Sequence, residues 1–192
     1  MKEMLKMILV LSLICGLSGL TLATVRQATS QRIEEQVMTY VQGPALEQIF
    51  SDYDNNPVKD RKIFDLPDGP VTVFPAIKNG TLTGVALETF GKGYGGDIGV
   101  MVGFVLDGTK LEGIGITTLK ETPGLGARVV EPDYRDQFKG HTTDSIALKK
   151  QGGDIAAISG ATISSTGTVA AVNDAVQIFN KIKDKLPTAW GS

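Results

Sequence analysis

Ile158-Ser159-Gly160-Ala161-Thr162-Ile163-Ser164-Ser165-Thr166-Gly167-Thr168 is the stretch on which the reading turns. Beyond it, Val172, Val176, Phe179, Ile182 and Leu186 recur at helical spacing while Asn173, Asp174, Lys181 and Lys183 fall elsewhere on the wheel, which predicts an amphipathic final helix. That helix opens among glycines and small hydroxyl residues. The N–H groups of a first turn have no internal partner and the dipole's positive end favours an anion, so a phosphate fits there. The plainer alternative is that Ser164, Ser165 or Thr166 simply caps the helix.

Working outward, 192 residues at 42% hydrophobic and 21% charged suit one modest globular domain with an appendage. A formal charge of −2 gives no basic surface for nucleic acid. Many of the 23 glycines fall within 91–115 and 152–167, where they allow tight turns and close backbone approach to a ligand. Cys15 is the only cysteine and His141 the only histidine. A disulfide framework, a thiolate metal cluster and a Ser-His-Asp triad are therefore poor readings, and His141 reads as a solvated loop residue.

Residues 7–25 carry no charge and match the roughly 20 apolar residues needed to span a hydrocarbon core. This predicts a retained membrane anchor in preference to a signal peptide, whose apolar region is usually about 7 to 15 residues long. Lys2, Lys6 and the terminal amine before it, against Arg26 and Arg32 after it, favour a cytoplasmic N-terminus slightly. Three regions follow: 1–25 as cytoplasmic tip and anchor, 26–60 as stem and loop, and 61–192 as the main domain.

Within the stem, Ile33, Val37, Tyr40 and Val41 stand at near-helical intervals, and Pro44 either lies in a first turn or marks a break before a short helix over 45–50. The sheet occupies 63–118. Asn79-Gly80 between apolar runs signals a tight hairpin, and Asp107-Gly108 marks a second. In that second pair Val100, Val102, Phe104 and Leu106 alternate on one face, with Ile114 and Ile116 answering across the turn. The fold class expected is α+β: a single N-terminal transmembrane helix, then a twisted antiparallel sheet packed by the stem, the 133–139 segment and the final helix.

Three segments carry a resemblance. Ser159-Gly160-Ala161-Thr162, followed by Ile163-Ser164, resembles the flavinylation motif of the G subunit of Rnf-type electron-transport complexes. The related C subunit of the sodium-translocating NADH:quinone reductase has a similar motif. Gly93-Tyr94-Gly95-Gly96 resembles the family's GYGG segment, and Glu121-Thr122-Pro123-Gly124-Leu125-Gly126 its ETPGLG loop. Taken singly, the last two read as ordinary turn chemistry. Two departures stand out: Ser164 replaces a second threonine, and Ala156 occupies a position that is often acidic, with Asp154 the nearest acid. Recognition through Asp154 and less efficient modification are the alternatives left open by the second.

The resemblance implies FMN joined by a phosphoester to the hydroxyl of Thr162, with Ser159, Gly160, Ala161 and Ser164 around it. It implies a magnesium-dependent flavin transferase that moves FMN from FAD and releases AMP, since a threonine hydroxyl is a poor nucleophile unaided. For the isoalloxazine ring, Leu119, Thr122, Leu125 and Gly126 are the expected wall, with Tyr94, Gly95 and Glu121 beside it. It further implies an outer-face electron carrier in a complex that couples reduced ferredoxin and NAD to Na+ or H+ transport, with the flavinylated D subunit among its partners. Hydrophobic residues of 122–130 are the expected docking surface. Gly91-Lys92-Gly93-Tyr94-Gly95-Gly96 matches a dinucleotide fingerprint only loosely and opens no strand–helix unit, so nicotinamide chemistry belongs to a partner. Alternative readings are an extracytoplasmic flavin-binding sensor, the homologous subunit of the NADH:quinone reductase, and a purely structural anchor.

Overall fold

The structure, a computed structural model, describes residues 1–191 and divides into two units, 1–40 and 41–192. The first is helix α1, Lys2–Val37. Its stretch Lys2–Ser30 is long and apolar enough to cross a membrane: an 18-residue window within it has a mean hydropathy of 2.3 and no buried residue. Hydroxyls within it are satisfied by the helix itself: Thr21 and Thr24 donate to the carbonyls of Leu17 and Leu20, one turn back, at 2.8 and 2.9 Å. An apolar solvent demands such internal pairing.

The second unit is a five-stranded antiparallel meander between helices. Its strands are β1 (Lys62–Leu66), β2 (Gly69–Lys78), β3 (Thr81–Lys92), β4 (Asp97–Val105) and β5 (Leu111–Thr118), in spatial order β1-β2-β3-β4-β5. The β2–β3 turn is Asn79-Gly80, both at positive φ (50° and 77°), as a primed two-residue hairpin requires. Between β4 and β5 the loop is longer, because Asp107 Oδ1 accepts both the N–H and the hydroxyl of Thr109 at 2.8 Å. The expected cross-strand pairs are Val100 with Ile116 and Val102 with Ile114.

The sheet has two buried faces. On one, helix α2 (Gly43–Ile49) lays Ala45, Leu46 and Ile49 against Phe74, Ala86 and Met101. Residues 41–60, expected to belong to the stem, are thus built into the globular unit, because α2 covers a face that β2 to β4 would otherwise expose. The other face carries the larger core. It is covered by α4 (Thr162–Ile182) together with the short helix α3 (Pro132–Arg135), which buries Tyr134, and the turn Asp136–Phe138, which buries Phe138. Phe179 of α4 stacks on Phe104 of β4 with ring centroids 4.5 Å apart. A last helix, α5 (Leu186–Trp190), buries Leu186.

Where α4 crosses the end of β3 the two backbones touch. A Cβ on Gly167 would lie 2.4 Å from the Lys92 carbonyl oxygen, and one on Gly91 would lie 1.8 Å from the Gly167 oxygen. Only glycine permits that approach, and Thr89 Oγ1 reinforces it by donating to the Ala171 carbonyl at 2.8 Å. This contact brings the start of α4 beside the β3–β4 turn.

Candidate functional site

The start of α4 differs from the capping alternative. Thr162 is the first helical residue, Ala161 stands at the N-cap, and no side chain caps it. Ser165 Oγ instead accepts the Ile158 N–H and donates to the Ala161 carbonyl, both at 3.0 Å. Thr166 Oγ1 donates back to the Thr162 carbonyl, and Ser164 Oγ leaves the helix altogether to donate to Glu121 Oε2 at 2.7 Å. None of the three serves as a cap, because each hydroxyl is spent elsewhere. The first-turn amides are left for a ligand.

Glu121 is the hub of the site. It lies in the loop after β5, 8% exposed, and its Oε1 accepts the Gly95 N–H at 2.9 Å. One carboxylate therefore ties together the turn after β3, the loop after β5 and the first turn of α4. GYGG forms the whole β3–β4 turn and leads directly into β4: Gly93 N–H donates to the Gly96 carbonyl at 2.9 Å, and Lys92 pairs with Asp97 at 2.7 Å across its base. Tyr94 is thrown outward at its tip, 75% exposed.

Between these segments lies a cleft of about 390 Å³. Glu121, Thr122, Leu125 and Gly126 form one wall, Gly160 to Ser164 the other, and Tyr94 the rim. Thr162 is exposed, and among the described residues its hydroxyl has no protein partner. Gly160 is at φ +79°, with Leu125 Cδ1 only 2.9 Å from where a Cβ would stand, so the motif and the loop pack closely.

Three expected site residues lie off this cleft. Gly95 gives only its N–H to Glu121. Leu119 is half-buried against the main core. Ser159 lines a neighbouring hollow of about 290 Å³ with Arg128, Tyr134 and Gln137. Ile163, by contrast, lines the cleft at 54% exposure and was not among the expected residues. Its signal was present: on the helical wheel it lies opposite Val172, an isoleucine on the side that should be polar. Of the expected docking surface, Leu125 and Val130 are exposed while Val129 is buried.

The segment leading into the motif is also fastened. Gln137 pairs with both backbone groups of Ala156, accepting its N–H at 2.7 Å and donating to its carbonyl at 3.3 Å. His141, read as solvated, holds Asp154 through Nε2 at 2.6 Å and meets the Thr142 carbonyl through Nδ1 at 2.7 Å. Desolvation is the largest single influence and pulls the imidazolium down, yet the Asp154 hydrogen bond, the Thr142 carbonyl and the Asp154 charge together raise it above its ordinary value. Beneath the motif, Tyr134 donates to the Ser165 carbonyl at 3.2 Å, and burial pushes its phenol up to about 12, against the opposing pull of hydrogen bonds with Ser165 and Thr168.

Residues 93–177, which contain every wall of the cleft, match the FMN-binding domain family. The chain is 31% identical to the G subunit of the ion-translocating oxidoreductase complex of Cereibacter sphaeroides, over 93% of its own length and 85% of the relative's. The chain belongs to the G-subunit family of ion-translocating oxidoreductase complexes. Another relative, the G subunit of the Na(+)-translocating ferredoxin:NAD(+) oxidoreductase complex of Acetobacterium woodii, is 30% identical over 94% of each chain. The crystal structure of the C subunit of the Na(+)-translocating NADH-quinone reductase of Parabacteroides distasonis superposes at a TM-score of 0.53 with 26% identity, covering 60% of this chain and 64% of that one. A member of the G-subunit family with this domain binds FMN. The cleft suits that ligand: its volume lies in the usual range for small-molecule sites, its walls present Leu125, Ile163 and Tyr94 to a flat ring, and the free amides of α4 answer a phosphate.

Proposed function

We propose that this G subunit is a membrane-anchored electron carrier whose FMN is held covalently through Thr162 Oγ1. The observation that carries the reading is a single juxtaposition: an unpartnered, exposed threonine hydroxyl on the first residue of a 21-residue helix, opening onto the cleft. No histidine lines that cleft to activate the hydroxyl, so a flavin transferase makes the bond. The Thr162 oxygen takes the FMN phosphoryl group of FAD, AMP departs, and the hydroxyl proton is lost. Once the ester exists, the first-turn amides of α4 offset the phosphate charge. Gly160 and Ala161 keep the approach to it open.

When bound, the flavin supplies a relay for electrons between redox centres of neighbouring subunits. Leu125 and Ile163 give its faces an apolar lodging and exclude water, while Tyr94 stands at the rim to stack or donate its hydroxyl. α1 holds the domain at the outer face of the membrane, with the N-terminus in the cytoplasm. The whole assembly, including the flavinylated D subunit, couples reduced ferredoxin and NAD to Na+ or H+ movement. Replacing Thr162 by Ala in the complete complex tests the relay: flavin on this polypeptide and ferredoxin-to-NAD turnover should vanish together. Full turnover with the flavin gone would contradict it.

A further inference from the structure

Glu121 carries more charge than its contacts need. Its two oxygens serve one amide N–H and one hydroxyl, and among the ion pairs of the described residues it has no lysine or arginine partner. A glutamine could accept the Gly95 N–H and donate to Ser164 Oγ in the same place, without burying a charge. The fold nevertheless makes room for the carboxylate. A Cβ on Gly93 would stand 2.3 Å from Oε1, and one on Gly126 would stand 2.4 Å from Oε2. Ser164, in the first turn of α4, brings the carboxylate to the N-terminal end of that helix. It also lines the cleft.

On the reading that this cleft holds FMN, we infer that Glu121 is a positioning residue with an electrostatic duty. It latches the Tyr94 turn to the start of α4, and its charge sets the reduction potential of the group bound beside it. A negative charge in a poorly solvated wall opposes the arrival of an electron, so it holds the flavin potential down. The Ser164 hydroxyl drains part of that charge by hydrogen bonding, so Glu121 and Ser164 act on the potential in opposite directions.

The test uses the full-length chain made with its modifying enzyme, as wild type, Glu121→Gln and Ser164→Ala. The midpoint potential of the covalent flavin is read by spectroelectrochemistry, and occupancy by intact mass. Glu121→Gln should shift the potential to more positive values and Ser164→Ala to more negative ones, each read on the flavinylated fraction of the variant, whatever that fraction is. A purely structural role predicts no shift, or shifts of one sign, and either result overturns the inference. If Glu121→Gln does not fold, the sign of the Ser164→Ala shift decides alone. Failure of the FMN reading shows itself separately, as a wild-type chain of unmodified mass.

Discussion

From Ala171 onward, α4 buries Ala171, Val172, Ala175, Phe179 and Ile182, an unbroken apolar stripe on the sheet. Its opening turns bury Ser164, Ser165, Gly167 and Thr168, with Val169 the one large apolar side chain among them, and leave Ile163 exposed. The same helix thus follows the amphipathic rule in one half and inverts it in the other. In the distal half burial is valued for area, and each large side chain removed from water contributes about 1.5–3 kcal/mol. In the proximal half burial serves position: hydroxyls are spent on Glu121, Ile158 and Ala161, and a backbone contact through Gly167 replaces side-chain packing. An inverted half-helix in an otherwise regular core marks where the fold serves a ligand.

The contrast can be broken most severely from the distal half. Phe179→Ala removes the ring stacked on Phe104 and should cost about 3–5 kcal/mol in chemical denaturation. Flavin attachment should fall only as far as the folded fraction falls. A smaller but more selective break is Gly167→Ala, whose Cβ must stand 2.4 Å from the Lys92 carbonyl oxygen and so push the start of α4 off β3. About 1–3 kcal/mol of stability should go, and flavin occupancy per folded molecule should drop as well, measured by absorbance against protein mass.

Ile163→Ser sharpens the comparison from the other side. Because the residue is exposed, stability should stay within about 0.5 kcal/mol of wild type, while the flavin should become more accessible to iodide quenching. Unchanged quenching would remove Ile163 from the ring's wall. The smallest effect lies outside the helix, at the His141–Asp154 pair. With His141 raised above 6.5, its stabilisation is fully present below that value and fades as pH rises through the higher folded value. The Asp154 carboxyl, held below 3.8 chiefly by the His141 hydrogen bond, sets the acid limit: its contribution is present above 3.8 and lost as pH falls through the folded value. The melting-temperature gap between wild type and His141→Asn should therefore narrow as pH rises above 6.5. A gap independent of pH would show that the pair is not linked to protonation.

Where one stretch of chain holds the whole cause, the fold was legible: Asn79-Gly80 dictates its turn, 7–25 its membrane-length helix, and the Val172 to Ile182 spacing its buried stripe. The cleft was legible only in part. Its walls come from three separated segments, and the Glu121 link to Ser164 spans 43 positions, a distance no local pattern encodes. The first β-hairpin escaped notice because its turn, Pro67-Asp68, sits between strands that are short or only partly buried. Ile163 escaped because a hydrophobic residue inside a polar motif reads as spacing and not as a wall.

The central claim, a covalent FMN on Thr162, meets its most direct test in fragment-mapped intact mass of the native chain purified from its own host. The account predicts a mass increase equal to FMN minus water, localised to the peptide that bears Thr162. An unmodified mass, or the same increase on a peptide lacking Thr162, would contradict it.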